Sequence, residues 1–347
     1  MKTKEFLKKN IAYIVALVCN LALIGFLFAP LLTYRTRVYE GDNKIDTYFS
    51  VNIIKMFNPQ VTERWIGIVT LSLFAIILIL LVVSFLLKNK NRIHDAIITS
   101  NLIIIGLTVC FLFVDKEIFT NYAYDLIADF KDASISWGSA VCLFLLAIEF
   151  LCLISVSSFS NQSMKGIAED AILIAAAFVL NLVTLFKAPT GGSINLQMLP
   201  LMFIALRRGP LPGFICGGVI YGLMTCISDG YGFATIPFDY LIGFGSAGIL
   251  GFFRPLIFPK DENKFSFVKS ELFLFLGGVL STFVRFVGST TSSAVIYHLP
   301  LNEAMLYNAV YVPVSGAIAI VILMLLFPAI KIINKRFPVE HNNKQYQ

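Results

Sequence analysis

Four ionisable groups interrupt stretches of this 347-residue sequence that are otherwise apolar: Glu149, Asp239, Arg285 and the adjacent pair Glu169–Asp170. A charge at the centre of a membrane helix costs roughly 2.5–3.5 kcal/mol, so each is a functional candidate if these stretches cross a bilayer. Asp239 stands among rings, with Tyr231, Phe233, Phe238 and Tyr240 close in sequence. A carboxylate beside aromatic faces suits an organic cation, held by charge and by ring quadrupoles. It suits equally a heterocycle presenting N–H donors, or an internal ion pair with Arg285. Arg285 precedes Ser289-Thr290-Thr291-Ser292-Ser293. On a helix, Ser289 and Ser292 fall within about 40° of Arg285, which makes one face polar for two turns. Small residues there also permit close helix packing; that accounts for the serines but not for the arginine. Tyr307-Asn308-Ala309-Val310-Tyr311 sets two tyrosines on one helix face with an amide beside them. A buried amide needs partners, either a ligand or a neighbouring helix. Glu149 is read as a proton relay or as a structural polar contact. Glu169 and Asp170 are read as acids at a helix entrance, favoured by the positive end of the dipole.

Catalytic and metal constellations are missing from the sequence. The six cysteines (Cys19, Cys110, Cys142, Cys152, Cys216, Cys226) lie in apolar runs without a CxxC pair, and His94, His298 and His341 are scattered. Buried cysteine as a small apolar residue is the simpler reading. Gly243-Phe244-Gly245-Ser246-Ala247-Gly248 matches a dinucleotide fingerprint by letters, but it follows no strand and lies in an apolar run, so it reads as helix packing. No P-loop is present to hydrolyse a nucleotide. The expectation is a protein that is not an enzyme, with no cofactor and no metal.

The elements that must position these groups follow from composition. The chain is 57% apolar and 14% charged, against about 45–50% and about 25% in an ordinary soluble protein. Apolar runs recur at about 11–32, 65–87, 96–114, 137–157, 170–187, 196–206, 211–228, 234–253, 270–297 and 303–328. Ten spans of about 20 residues would absorb nearly all the apolar positions. The fold class expected is an all-α integral membrane protein of about ten transmembrane helices. Strands are not expected, because the runs are continuous rather than alternating. The net charge of +6 does not indicate nucleic acid, since the basic residues cluster between apolar runs. Placing the N-terminus in the cytoplasm puts 18 of the 27 lysines and arginines inside, as the bias toward positive cytoplasmic loops asks. Both termini are then cytoplasmic, in a multi-pass protein of the cell membrane. The small polar stretch Ser157–Ser163 reads as a linker. It divides a four-helix membrane region (1–160) of unassigned role from a six-helix region (166–337), which a polar cytoplasmic tail (338–347) follows.

From Ala168 onward the sequence resembles the substrate-binding (S) component of energy-coupling factor vitamin transporters, most closely the thiamine-specific type. Glu169–Ala177 is similar to the family's first helix, with Ala171 and Ala175 on its docking face. Leu199–Gly209 is similar to the second helix and its basic turn, and Phe238–Phe244 to the acid-Tyr segment. Arg285–Tyr297 resembles the fifth helix, and Tyr307-Asn308 the start of the sixth. The resemblance implies a six-helix bundle without its own ATPase, served by a transmembrane coupling subunit and two ATPase subunits. It implies a ligand, thiamine or a related heterocyclic vitamin, held by Asp239 and Tyr240, with Tyr231, Ser289, Arg285, Tyr297 and Asn308 around it, and a lid formed by Ala188–Asn195. The sequence departs from the thiamine pattern at Ser289, where the family carries histidine, at Asp239, one methylene shorter than glutamate, and near Gly191 and Glu303, where a tryptophan and a tyrosine are expected. An autonomous ion-coupled transporter and a ligand-sensing membrane scaffold are the alternative readings. No inverted repeat favours the former.

Overall fold

The structure is a computed structural model of the chain. It describes residues 2–25, 28–40, 43–56, 64–88, 91–126, 130–157, 163–187, 192–230, 235–259 and 265–337. The chain forms two compact units, Met1–Ser157 and Ser158–Gln347.

The first unit contains α1 (Lys2–Gly25), β1 (Leu32–Glu40), β2 (Asn43–Val51), the single turn α2 (Ile53–Met56), α3 (Arg64–Leu86), α4 (Asn91–Leu126), β3 (Phe130–Ile135) and α5 (Trp137–Val156). Two sequence expectations change here. The first apolar run, read as helical to Leu32, ends as a helix at Gly25, and the segment read as a loop from Thr33 is a hairpin. The reason is local: Pro30 disfavours helix at the residue before it, and beyond it the sequence alternates. Leu32 and Thr36 are buried on one face, while Arg35 and Arg37 point to the other. There Arg37 stands directly opposite Asp46 and Arg35 opposite Asp132, with ion-pair distances of 3.3 and 3.1 Å. Tyr34 and Phe49 are also cross-strand partners, their rings stacked at 5.3 Å. The sheet runs β2-β1-β3, all antiparallel. Among the helices, the Asn20 amide donates to Glu149 at 2.6 Å and so ties α1 to α5; both side chains are buried. Tyr13 and His94 pair between α1 and α4.

The second unit contains α6 (Met164–Leu182), a two-residue hairpin β4 (Phe186–Lys187) and β5 (Ser193–Ile194), α7 (Met198–Arg208), α8 (Pro210–Asp229), α9 (Ile236–Ile257), α10 (Phe267–Val295) and α11 (Leu301–Arg336). α8 and α9 are not uniform: each includes a seven-residue π-helical stretch, Ile215–Tyr221 and Ile236–Ile242. Such wide turns frequently mark functional positions. The two helices pack backbone to backbone, and a Cβ at Gly218 would lie 2.5 Å from the Leu241 carbonyl oxygen. The Gly243–Gly248 segment makes the other half of this contact: a Cβ at Gly248 would meet the Pro210 carbonyl oxygen at 2.6 Å.

Glu169 and Asp170 do not cap a helix. α6 begins at Met164, and the Ser163 hydroxyl caps it by accepting from the Gly166 amide, which leaves both acids in the second turn. They pair instead with the basic end of α7, Glu169 with Arg207 and Asp170 with Arg208. Arg207 also reaches Asn334 and the Phe337 carbonyl at 3.0 Å each. Burial explains the choice, since three of these four side chains are nearly inaccessible and buried charges require partners.

Among the described residues six helices are long and apolar enough to cross a membrane: α3 (from Gly67), α5, α8, α9, α10 and α11. Parts of α1 and α4 form shorter apolar helices, Asn10–Gly25 and Ile93–Val109.

Candidate functional site

A cavity of about 690 Å³ opens at the end of the second unit where α6, α8 and α10 finish and α9 and α11 begin. Its size falls within the roughly 300–1,000 Å³ usual for small-molecule sites. Asp239 and Tyr240 enter from the wide turn of α9, and Arg285 and Ser289 from α10. Tyr307 and Tyr311 enter from α11.

Gly288 makes this convergence possible. A Cβ there would lie 2.8 Å from the Phe238 carbonyl oxygen, so only glycine lets α10 approach α9 so closely. The approach brings the serine face of α10 against Asp239. Ser292 donates to its carboxylate at 2.5 Å, and Ser289 offers a second hydroxyl. These neutral donors hold the acid without cancelling its charge.

Arg285 does not close on Asp239 as an internal salt bridge. Its guanidinium sits over the Phe244 ring, 5.1 Å from the centroid, and its Nη1 has no hydrogen-bond partner among the described residues although the side chain is only 6% exposed. An unpartnered buried donor costs about 1–3 kcal/mol, and this one borders the cavity. A ligand acceptor placed there would remove that cost.

The remaining sequence candidates fall in different places. Tyr297 lines the cavity. Tyr231 lies outside the described residues. Asn308 is fully buried and already committed: its amide nitrogen reaches Ala304, Ser293 and Ser289, and its oxygen accepts from Tyr311 at 2.6 Å. It braces α10 against α11 and orients Tyr311. Of the lid segment, 188–191 lies outside the described residues; the Gly192 amide donates to Tyr307 at 2.6 Å and joins the β4–β5 hairpin to α11.

Sequence reasoning passed over Asp229, Lys187 and Gln197, all of which line the cavity. Gln197 accepts from the buried Tyr221 at 2.5 Å, and Asp229 accepts from Tyr240 at 3.1 Å. Asp229 ends an apolar run, where a charge draws no notice. Ala171 and Ala175 stand on the exposed side of α6, one turn apart.

The family described as Thiamine transporter protein (Thia_YuaJ) matches residues 167–335. Thiamine transporter ThiT of Bacillus subtilis is 31% identical over 186 residues, covering 48% of this chain and 93% of that protein. Thiamine transporter ThiT of Lacticaseibacillus paracasei is 24% identical over 132 residues, 36% of this chain and 65% of the relative. A solved structure of ThiT from Listeria monocytogenes overlays with a TM-score of 0.38 at 19% identity, covering 48% of this chain and 94% of that one. All of these cover about half of this chain or less.

Proposed function

We propose, starting from the fact that this chain belongs to the thiamine transporter protein family, that it is the substrate-binding membrane component of an energy-coupling factor importer for thiamine or a closely related heterocycle. The cavity carries this reading. It combines a carboxylate held by neutral hydroxyls, an unpartnered guanidinium donor and aromatic walls, and together these suit a flat, cationic, nitrogen-rich ligand that also presents an acceptor. In this reading Asp239 takes the ligand's N–H donors and Arg285 takes an acceptor. Tyr240 and Tyr297 supply ring faces, and Ser289 stands beside the acid. The cavity faces outward from the cell membrane, and the β4–β5 hairpin closes over it through Gly192 and Tyr307. Both termini are cytoplasmic.

Transport then requires a coupling subunit and two ATPases. Ala171 and Ala175 are the docking positions on α6, since small exposed side chains one turn apart let another helix come close. The first unit is an accessory membrane domain. Purified full-length protein titrated with thiamine and followed by intrinsic fluorescence should respond at micromolar concentration or below. No response to thiamine or to any other vitamin would overturn the reading.

A further inference from the structure

Asp239 accounts for one of the three carboxylates that border the cavity and leaves Asp229 and Glu303 without a role. Asp229 is the last residue of α8 and lines the same cavity. We propose that Asp229 is a specificity-determining residue, the acid that makes the site prefer a positively charged heterocycle over a neutral one. The proposal deepens the ligand assignment made above and rests on it.

The two acids differ in what already surrounds them. Asp239 receives Ser292 and Ser289, and the Arg285 guanidinium is near enough to offset part of its charge. It is fitted to take neutral N–H donors. Asp229 receives the neutral Tyr240 hydroxyl at 3.1 Å, and a carboxylate has about four acceptor positions, so among the described residues most remain open. Lys187 of β4 is within electrostatic reach of it, and no salt bridge joins the two among the described residues.

Charge counting agrees. Asp229, Asp239 and Glu303 border the cavity against Lys187 and Arg285, leaving one excess negative charge. A singly charged cation balances it and a neutral ring does not; Asp229, Glu303 and Lys187 are exposed, so solvent screens part of this difference. Tyr240 links the acids, since it follows Asp239 in sequence and donates to Asp229. A planar cation resting on its ring therefore lies near both.

The test is a pair of titrations on the full-length protein. One ligand is thiamine, whose thiazolium ring is permanently charged, and the other is its neutral hydroxymethyl-aminopyrimidine fragment. Asp229→Asn should weaken thiamine about three- to fivefold, as an exposed charge pair does, and leave the fragment almost unchanged, so that the ratio of the two affinities falls. Asp229→Glu, which keeps the charge, should keep the wild-type ratio. An unchanged ratio in Asp229→Asn overturns the proposal, as does an equal loss for both ligands, which would make the acid a prop for Tyr240. If Asp229→Asn does not fold, Asp229→Ser reads the same ratio by the same criterion. Wild-type protein that binds neither compound overturns the ligand assignment itself, an outcome distinct from a bound thiamine whose selectivity ignores residue 229.

Discussion

Replacing Asp239 with asparagine probes the cavity at its centre, because the change keeps the shape and removes the charge. Ser292 can still donate to the asparagine oxygen, and the Ser289 hydroxyl can rotate to accept from the new amide, so the α9–α10 contact survives. The loss therefore falls on the ligand. A hydrogen bond to a charged group contributes about 1.5–3 kcal/mol. A unit charge at ~6 Å in a medium of effective dielectric about 20 gives a similar figure, roughly 3 kcal/mol. At about 1.4 kcal/mol per tenfold, thiamine should bind roughly 10–150-fold more weakly. The change also leaves Arg285 less compensated, which works in the same direction. Isothermal titration of both proteins in one detergent measures the difference, and thermal unfolding without ligand checks that the variant is folded. A folded Asp239→Asn protein whose Kd lies within threefold of wild type would show that the carboxylate only braces the helix pair, and the ligand assignment would lose its main support.

Tyr307→Phe removes the acceptor for the Gly192 amide; a hydrogen bond of about 0.5–1.5 kcal/mol corresponds to dissociation faster by about 2–13-fold in a stopped-flow chase, and an unchanged rate would separate the hairpin from ligand retention. Ala175→Trp should leave thiamine affinity intact yet abolish uptake by cells that supply the coupling subunits, because the ring blocks close helix approach; normal uptake would remove α6 from the docking surface. In the first unit, Glu149→Gln keeps an acceptor for the Asn20 amide and should melt close to wild type. Glu149→Leu strands that amide and should lose about 1–3 kcal/mol. Equal melting of the two variants would show that the Asn20–Glu149 contact contributes nothing.

The helices were legible because continuous apolar runs admit little else, but six helices among the described residues, not ten, are long and apolar enough to cross a membrane, and two of the runs end in strands. Their ends were less legible. The apolar letters continue past Gly25, and only the pairing of Leu32–Glu40 with Asn43–Val51 turns that stretch into a sheet. Asp239 and Arg285 were visible as charges against an apolar background. What each one touches was not, because the 2.5 Å contact from Ser292 joins positions 53 residues apart. Asn308 was visible as a buried amide, yet its partners on α10 and α11 decide that it braces the bundle. Glu169 and Asp170 misled for a related reason: the boundary of α6 was set by Ser163, upstream of where the apolar run begins.

The wide turn at Ile236–Ile242 has a consequence for how this site can change over time. Asp239 and Tyr240 both reach the cavity because the backbone holds more residues per turn there than a regular helix does. A wide turn holds one residue more than the regular turn it replaces, so losing one residue there would narrow the turn and re-aim Asp239 and Tyr240 while the helix beyond it kept its place. Chain length in this wall thus helps set where the acid and the ring point. A lineage could retune this pocket by a single deletion here as well as by exchanging residues.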